Sequence, residues 1–268
     1  MSTYLITQAT GHQSQWTIEH LLIAGAKVHA LVRDPKKVPT FLKRPGVTVF
    51  DRENDTPEAI FKAAEGCKGV FLNTFPSFGD ADSYPLMSFY YETKHKIEEA
   101  VRATNFQSYT ILRPTLIHHD YTVPRSAVNF PDLPKTGTLT HALNDGVGLL
   151  HIDEKDIGKY AAAALLDPIK FGGQEIELGN ELLTIEEIRD ILAKVSGKDI
   201  KVKKWTPEET KEALSSVFLS RFELWANIDP MTSSAKATAE KFGIPFTSLE
   251  EYLEREKAQL LASLPAEL

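Results

Sequence analysis

The 268-residue chain contains 42% hydrophobic residues, carries a formal net charge of −7 and has a sequence pI of about 5.7. This composition predicts one α/β domain with a smaller appendage. The chain has no basic stripe, a single cysteine (Cys67) and no apolar run of about 20 residues, so we expect no direct nucleic-acid binding, no cysteine-based metal site and no membrane span. No secretory leader is visible, and we expect a cytoplasmic protein.

The opening of the chain predicts the first half of a dinucleotide-binding unit. Residues 4–7 form a short apolar run that is typical of a buried strand. After Gly11, apolar residues recur at helical spacing until Gly25, where a helix would end, and residues 28–32 form a second apolar strand. In this arrangement the turn around Gly11 lies where a pyrophosphate would meet a helix N-terminus.

That turn keeps one glycine of the three that the dinucleotide fingerprint prefers. Gln8, Gly11 and Ser14 stand at the three positions. Gly11 remains where the backbone must approach a phosphate closely, whereas the side chain of Gln8 is expected to send the loop along a different path. Ser14 is small enough for close packing of the helix on the strand. The alternative interpretation is an ordinary strand-to-helix connection.

A small cationic cluster follows the second strand and consists of Arg33, Lys36 and Lys37. A carboxylate at the end of this strand suits the ribose hydroxyls of NAD, whereas a basic residue suits the 2′-phosphate of NADP. The cluster therefore predicts NADP(H) as the cofactor. The alternative is a solvated basic loop.

Further strands and helices are predicted along the chain. Residues 47–50 read as a strand, residues 56–64 as a helix with Thr56 as N-cap, and residues 69–73 as a strand that ends at the same sheet edge as the Gly11 turn. Ligands of open α/β sheets bind beyond that edge, which makes Asn73, Thr74 and Phe75 candidates for the floor of a cofactor site.

The second half of the chain predicts a helix over 88–104, a strand over 109–112 and then an irregular stretch over 118–147. A loop of this length usually forms a lid or a substrate wall. A helix near 156 and a strand at 174–178 follow, and three capping boxes mark helices after residue 184. We therefore predict a dinucleotide-binding domain over 1–183, including the long loop 118–147, and a helical substrate-side subdomain over 184–268.

Several stretches together carry a family resemblance: YLITQATGHQSQ, HALVRDPKK, TILRP, DIGKYAAAALLDP and LTIEEI. They resemble the NmrA-like family, a branch of the atypical short-chain dehydrogenases. The resemblance implies a Rossmann-like, doubly wound parallel sheet, NAD(P) binding and a small, mainly helical C-terminal subdomain. Members of the family include NADP-sensing regulators and reductases of secondary metabolism.

The resemblance also implies a set of cofactor-binding residues: Thr7, Gln8, Thr10, Gly11, His12 and Gln13 in the pyrophosphate turn, Arg33 and Lys37 near the 2′-phosphate, Asn73, Thr74 and Phe75 under the adenosine or ribose, Lys94 at the nicotinamide ribose, and Pro114 and Leu116 on the nicotinamide side. One departure concerns the sheet. Family members place a helix, a fifth strand and a catalytic-type serine or threonine before the helix that carries Lys94. Roughly twenty residues are available here, which is too few for that crossover, so either the sheet lacks a strand or a segment is missing.

Candidate catalytic groups lie on the helix of Lys94 and after the TILRP strand. Tyr90 and Lys94 have the Tyr-x-x-x-Lys spacing in which a lysine can lower the pKa of a phenol that donates a proton. Tyr91 competes with Tyr90, because the family places an aromatic residue three positions before the lysine. His118 is a further candidate acid or base. Adjacent His119 would point the other way, so no metal site is predicted.

Other polar and aromatic residues are predicted to be structural. His151 and Asp153 alternate on one side of a short strand and could bond to each other. Four aromatic residues at helical spacings are assigned to the core or to a hydrophobic substrate wall: Trp205, Phe218, Phe222 and Trp225.

These patterns lead to one main hypothesis and two alternatives. The main hypothesis is an NADP(H)-dependent oxidoreductase that reduces a C=O or C=C bond of a small apolar molecule of the secondary-metabolite type. The first alternative is an NADP(H) sensor without turnover that contacts a regulatory protein. The second is an isomerase, cyclase or dehydratase that has lost cofactor binding. A protein partner or a homodimer is compatible with each of them.

Overall fold

The computed structural model of the chain describes residues 1–51, 56–74 and 86–267. The predicted cofactor contact Phe75 lies outside these residues. Residues 75–85, on which the question of a fifth strand depends, lie outside them as well.

The described strands are β1 (Thr3–Ile6), β2 (Lys27–Val32), β3 (Val47–Asp51), β4 (Gly69–Phe71), β5 (Thr110–Pro114), β6 (Leu116–Ile117), β7 (Thr138–His141), β8 (Gly148–Ile152), β9 (Gln174–Leu178), β10 (Leu182–Thr184) and β11 (Lys201–Lys204). The helices are α1 (His12–Ile23), α2 (Pro57–Ala64), α3 (Ser88–Ala103), α4 (Ser126–Asn129), α5 (Leu133–Thr136), α6 (Glu154–Leu166), α7 (Pro168–Phe171), α8 (Ile185–Ser196), α9 (Pro207–Ser216), α10 (Phe218–Ala226), α11 (Ala235–Phe242), α12 (Leu249–Arg255) and α13 (Lys257–Ala262), with 3₁₀ turns at Pro35–Lys37, Thr40–Leu42 and His118–Tyr121.

The chain divides into two compact units. Unit 1 comprises residues 1–76, 105–112 and 154–176, and unit 2 comprises residues 77–104, 113–153 and 177–268. β5 pairs with β9, and the division falls within both strands. The boundary at residue 183 therefore stays a prediction, because the compact units do not follow it.

Unit 1 contains a parallel four-stranded sheet in the order β3-β2-β1-β4. Successive side chains of a strand point to opposite faces. Tyr4 and Ile6 accordingly pack with residues of α1 and α6, whereas Leu5 packs with Leu31 and with Ala63 of α2. Helices thus cover both faces of the sheet, and the predicted Rossmann-like, doubly wound architecture is confirmed.

Helix α1 lies against α6 at very short range. A Cβ atom at Gly158 of α6 would be 2.4 Å from the Cβ of Trp16 and 2.8 Å from the backbone nitrogen of Thr17. No side chain fits into that space, so glycine at this position lets the two helices pack closely. Because α1 begins at the Gly11 turn, this packing helps to fix the turn on the sheet.

Unit 2 has its own core, to which helices α8, α10, α12 and α13 contribute buried aliphatic and aromatic side chains. The three predicted capping boxes are confirmed. At the start of α8, for example, Glu187 accepts a hydrogen bond from the backbone nitrogen of Thr184 at 2.8 Å, and Thr184 caps the helix in return. The same arrangement begins α9 with Thr206 and Glu209, and α12 with Ser248 and Glu251.

The prediction of an irregular loop over 118–147 is wrong. This stretch contains the 3₁₀ turn His118–Tyr121, two short helices and strand β7, which pairs in parallel with β11. Phe130 and Leu133 are fully buried within it. The segment is therefore part of the interior of unit 2 rather than a mobile lid, because its short elements are held by buried side chains and by a distant strand.

No helix in the described part of the chain is long and apolar enough to cross a membrane. Among the same residues, no group of three or more histidine, cysteine, aspartate and glutamate side chains could hold a metal ion.

Candidate functional site

The turn after β1 keeps a tight path although glycine is missing at its first position. Gln8 has a φ of 45°, the left-handed conformation that usually requires glycine. Its carbonyl oxygen accepts a hydrogen bond from the nitrogen of Gly11 at 2.9 Å. Gln8 thus adopts, despite its side chain, a left-handed backbone conformation that favours glycine.

Gly11 and the helix that follows it form a potential anion site. A Cβ at Gly11 would lie 3.3 Å from the carbonyl oxygen of Gln8, so the turn leaves little room for a side chain. α1 has no side-chain N-cap and no acidic residue in its first turn. A helix N-terminus of this kind favours a phosphate, both through its first amides and through the helix dipole. His12 and Thr10 are exposed there, and Gln13 is half-buried.

Two hydroxyl groups fix this turn on the sheet. Thr7 donates from Oγ1 to the carbonyl oxygen of Phe71 at 3.1 Å and accepts from the backbone nitrogen of Asn73 at 2.9 Å. Ser14, fully buried on α1, donates from its hydroxyl to the carbonyl oxygen of Thr7 at 3.0 Å. Ser14 therefore does more than fit into the space of a glycine, because its hydrogen bond connects α1 to the end of β1. The ends of β1 and β4 are joined in the same way, which positions Asn73 and Thr74 at the predicted sheet edge.

The cationic cluster after β2 is exposed, which is compatible both with a phosphate contact and with a solvated basic loop. Arg33 follows the last residue of β2 and has no ion-pair partner among the described residues. Lys37 lies 3.7 Å from the carboxylate of Asp34, which also caps the turn Pro35–Lys37 by accepting from the nitrogen of Lys36. Arg33 supplies the guanidinium of the cluster, and Lys36, like Arg33, has no ion-pair partner among the described residues.

On α3, Lys94 lies against a tyrosine ring. Its Nζ atom is 5.4 Å from the ring centroid of Tyr90, which is a cation–π arrangement. Burial lowers the pKa of Lys94 and raises the pKa of Tyr90. The expectation that Lys94 lowers the pKa of a neighbouring phenol is therefore wrong for Tyr90.

Tyr91 belongs to an aromatic pair that sequence reasoning did not find. Its ring centroid lies 5.3 Å from that of Trp225 on α10, at an interplanar angle of 47°. Burial, followed by the charges of Tyr90, Asp229 and Glu177, raises the pKa of Tyr91 to about 12. Tyr91 is therefore a weak acid, although its side chain remains 38% exposed.

Helix α10 is fixed where it carries Trp225. The buried carboxyl group of Glu223 accepts from the backbone nitrogen of Ala142 at 2.8 Å. Asn227 donates to the carbonyl oxygen of Ala142 at 2.9 Å and accepts from the nitrogen of Asn144 at 2.7 Å. These bonds lie on both sides of Trp225 in the sequence, so the indole has a fixed support. No sequence signal marked Glu223 or Asn227, because their partners lie far away in the chain.

His118 lies in the interior of unit 2 rather than at an edge that faces a ligand. Its ring is fully buried, 5.2 Å from the ring centroid of Tyr252 and 6.1 Å from that of His151. Burial holds its pKa well below the usual value. His118 is therefore a core residue. The adjacent His119 lies near a carboxylate, with its Nε2 atom 3.7 Å from Oδ1 of Asp120.

The pair His151 and Asp153 is structural, but each residue has a partner other than the one expected. His151 lies 2.8 Å from the hydroxyl of Tyr121. Asp153 accepts two hydrogen bonds from Arg255 at 2.7 and 3.1 Å. Of the residues predicted on the nicotinamide side, Pro114 is half-buried at the end of β5 and Leu116 is buried in the core of unit 2.

The sequence profile of the NmrA-like family matches residues 1–84 and 80–253. The chain belongs to the NmrA-like family. A putative anthocyanidin reductase from Ginkgo biloba is 38% identical over 83 residues, which make up 28% of this chain and 24% of that protein. Prestalk A differentiation protein A from Dictyostelium discoideum is 26% identical over 190 residues, which make up 65% of this chain and 56% of that protein. The chain therefore matches only part of the length of either relative.

Solved structures share the fold of this NmrA-like chain over nearly its whole length. The NADPH-dependent quinone oxidoreductase of Escherichia coli, in complex with NADPH, has 20% sequence identity and a TM-score of 0.74, with 95% of this chain and 99% of that chain covered. NmrA, a negative transcriptional regulator in complex with NADP, has 19% identity and a TM-score of 0.72, with 96% of each chain covered. At these identities the likeness establishes the fold.

Proposed function

We propose that the protein is an NADP(H)-dependent oxidoreductase that reduces a C=O or C=C bond of a small, largely apolar substrate. The observation that carries the proposal is the preserved turn after β1. Gln8 takes a φ of 45°, which makes the turn tight. The N-terminus of α1 that follows the turn has no side-chain cap, so its first amides are open to a phosphate. The residues present therefore fit the phosphates of a dinucleotide.

The choice of NADP(H) over NAD(H) rests on Arg33. A guanidinium forms charge-assisted, two-point hydrogen bonds with a phosphate, and Arg33 is exposed beyond the carboxyl end of β2. The E. coli structure that shares this fold contains NADPH, whereas NmrA structures contain NADP in one case and NAD in another. These neighbours support a nicotinamide dinucleotide, and the choice of NADP(H) rests on Arg33 alone.

The remaining roles follow from the family resemblance and from the contacts of each residue. Bound NADPH would supply the hydride. Thr7 and Ser14 would hold the pyrophosphate turn, while Asn73 and Thr74 would lie under the adenosine or ribose. Lys94 would contact the nicotinamide ribose and orient the ring. Secondary metabolism as the source of the substrate and a cytoplasmic location stay predictions.

A sensor without turnover is the second candidate. The observation in its favour is the raised pKa of Tyr90 and Tyr91, because a phenol that holds its proton tightly is a poor acid catalyst. The NADP-bound transcriptional regulator NmrA has the same fold. The third hypothesis, a non-redox enzyme without cofactor, stays a prediction: it rests on Gln8 and on the short connection after β4, and residues 75–85 of that connection lie outside the described residues.

Fluorescence titration of NADPH and NADH into the purified protein tests this proposal. Arg33→Ala should weaken NADPH binding about 10- to 100-fold and leave NADH binding nearly unchanged, because only NADPH has the 2′-phosphate. Lys27→Ala is the matched control, since Lys27 is exposed at the opposite end of the same strand. Failure of both nucleotides to bind would refute the oxidoreductase and the sensor together. Binding of NADPH without its oxidation by any quinone or enone would favour the sensor.

A further inference from the structure

The end of β2 carries two opposite signals for the choice of dinucleotide. The strand ends at Val32, and Arg33 and Asp34 follow it directly. A basic residue at this place suits the 2′-phosphate of NADP(H), whereas a carboxylate suits the ribose hydroxyls of NAD(H). Both residues belong to unit 1, as does the Gly11 turn. The choice therefore depends on where the carboxylate of Asp34 is held.

The carboxylate of Asp34 is held by the turn that follows it. Its Oδ1 atom accepts a hydrogen bond from the backbone nitrogen of Lys36 at 2.9 Å, and its Oδ2 atom lies 3.7 Å from Nζ of Lys37. The carbonyl oxygen of Asp34 accepts from the nitrogen of Lys37 at 3.1 Å, which closes the turn Pro35–Lys37. Aspartate commonly caps a turn in this way. A ribose hydroxyl would have to compete with both partners for the carboxylate.

The cap also fixes the backbone that carries the neighbouring cations. Lys36 is exposed and has no ion-pair partner among the described residues. Pro35 restricts the turn further, because its ring fixes φ. A fixed turn keeps Lys36 close to Arg33, so less conformational entropy is lost when both side chains meet one phosphate. Through its hydrogen bond, Asp34 therefore favours a phosphate at the end of β2.

The negative charge of Asp34 has the opposite effect. A carboxylate next to Arg33 repels a 2′-phosphate, although solvent and salt screen the repulsion at this exposed turn. The ion pair with Lys37 is exposed as well and contributes little. The two effects can be separated by substitution. Asparagine keeps an oxygen that accepts the bond from Lys36 and removes the charge, whereas alanine removes both.

We propose that Asp34 is a specificity-determining residue of the dinucleotide site: it positions the turn beside Arg33 for a 2′-phosphate and does not bind the ribose hydroxyls. This inference rests on the proposed function and deepens it, because it names the residue that sets the cofactor preference together with Arg33. Asp34 acts through the backbone of the turn, so it is a positioning residue and not a ligand of the cofactor.

Fluorescence titrations of NADPH and NADH with two variants test the inference, since the two nucleotides differ only in the 2′-phosphate. Asp34→Asn should bind NADPH about two- to fivefold more tightly than the wild type, because the cap remains and the repulsion is gone. Asp34→Ala should bind NADPH about two- to fivefold more weakly than Asp34→Asn. These variants have the same charge, so their difference measures the cap alone. NADH affinity should stay that of the wild type in both.

Asp167 offers a matched control within unit 1. It begins a second Asp-Pro-x-Lys sequence and caps α7 by accepting from the backbone nitrogen of Lys170 at 3.0 Å. It follows Leu165 closely, and Leu165 packs against Gly69, the first residue of β4. Asp167 therefore lies near the opposite edge of the parallel sheet from Arg33. Asp167→Asn and Asp167→Ala should leave both affinities unchanged, and thermal unfolding checks that each variant is folded.

Three results would overturn the inference while the oxidoreductase stands. Weaker NADH binding in both Asp34 variants would show that the carboxylate holds a ribose hydroxyl. Equal NADPH affinity in Asp34→Asn and Asp34→Ala would show that the cap positions nothing. A gain in NADPH affinity in Asp167→Asn equal to that in Asp34→Asn would show an effect of net charge alone. If the wild type binds neither nucleotide, the inference and the proposed function both fail.

Discussion

The hydroxyl group of Tyr121 lies 2.8 Å from Nε2 of His151, and both side chains are fully buried in unit 2. The ring of His118 packs beside them, with its centroid 6.1 Å from that of His151. Burial lowers the pKa of His151 from 6.5 to about 4, and it lowers the pKa of His118 in the same direction. Both histidines are therefore neutral in the folded protein at pH values where the unfolded chain would protonate them.

This difference predicts a loss of stability in acid. Between pH 6.5 and about 4 the unfolded state binds a proton at His151 that the folded state does not bind, so the free energy of unfolding falls as the pH falls. The expected slope from one histidine is about 1.4 kcal/mol per pH unit. In urea unfolding at several pH values, His151→Gln should reduce this slope. His95→Gln, on the exposed face of α3, is the control and should retain it.

A slope in His151→Gln equal to that of the wild type would show that His151 does not titrate as described. The variant also loses packing, so slopes rather than absolute stabilities are the quantity to compare.

The buried carboxyl group of Glu223 should give the free energy of unfolding the opposite dependence on pH. It is buried, and its pKa is raised from 4.5 to about 8. Above pH 4.5 the unfolded chain releases this proton while the folded protein keeps it, so stability falls as the pH rises toward 8. Glu223→Gln keeps an oxygen that accepts the bond from the nitrogen of Ala142, and it cannot ionise. The variant should therefore gain stability relative to the wild type between pH 5 and pH 8, by about 1.4 kcal/mol per pH unit.

Urea unfolding of the wild type and Glu223→Gln at these two pH values measures this gain. Glu209→Gln, at an exposed capping position, should show no comparable increase. A constant difference between wild type and Glu223→Gln across the range would contradict the assignment.

Much of the fold could be predicted because its signals are local. Thr184 and Glu187 are three residues apart, and the capping box that they form depends on nothing distant. The alternation of Tyr4, Leu5 and Ile6 between two cores likewise follows from the pleat of one strand. Such elements are specified by a few neighbouring residues.

Distant contacts explain what the sequence did not predict. Strand β7 is short and lacks a periodic pattern, and it exists because β11 pairs with it from much farther along the chain. The pair of Tyr91 and Trp225 also depends on packing between separate helices. Gln8 is a different case, because its left-handed backbone conformation is rare for any residue except glycine, so residue propensity did not predict it.

The two tyrosines of α3 give a third prediction. If either phenol were the main proton donor, Tyr→Phe would lower the rate of quinone reduction about 100-fold or more. Because the pKa of Tyr90 is raised and that of Tyr91 is about 12, neither phenol is expected to be the main proton donor. We therefore expect Tyr90→Phe and Tyr91→Phe each to lower the rate of quinone reduction less than about tenfold. Steady-state rates at saturating NADPH measure this effect. A large loss confined to one of the two variants would identify that residue as a catalytic acid after all.

The final prediction concerns the turn that would hold the pyrophosphate. Gln8→Gly should stabilise the protein by about 1 kcal/mol, because glycine adopts a φ of 45° without the strain that a side chain imposes. It should leave NADPH affinity equal or improved.

Gly11→Ala is the matched change at the other end of the turn. Its Cβ would lie 3.3 Å from the carbonyl oxygen of Gln8, and glycine at this position of the fingerprint lets the backbone approach a phosphate, so NADPH affinity should fall more than stability. Urea unfolding and NADPH titration of both variants distinguish the two effects. Loss of NADPH binding in Gln8→Gly would mean that the glutamine side chain itself contacts the cofactor, and the role of this turn would then need to be reassigned from backbone to side chain.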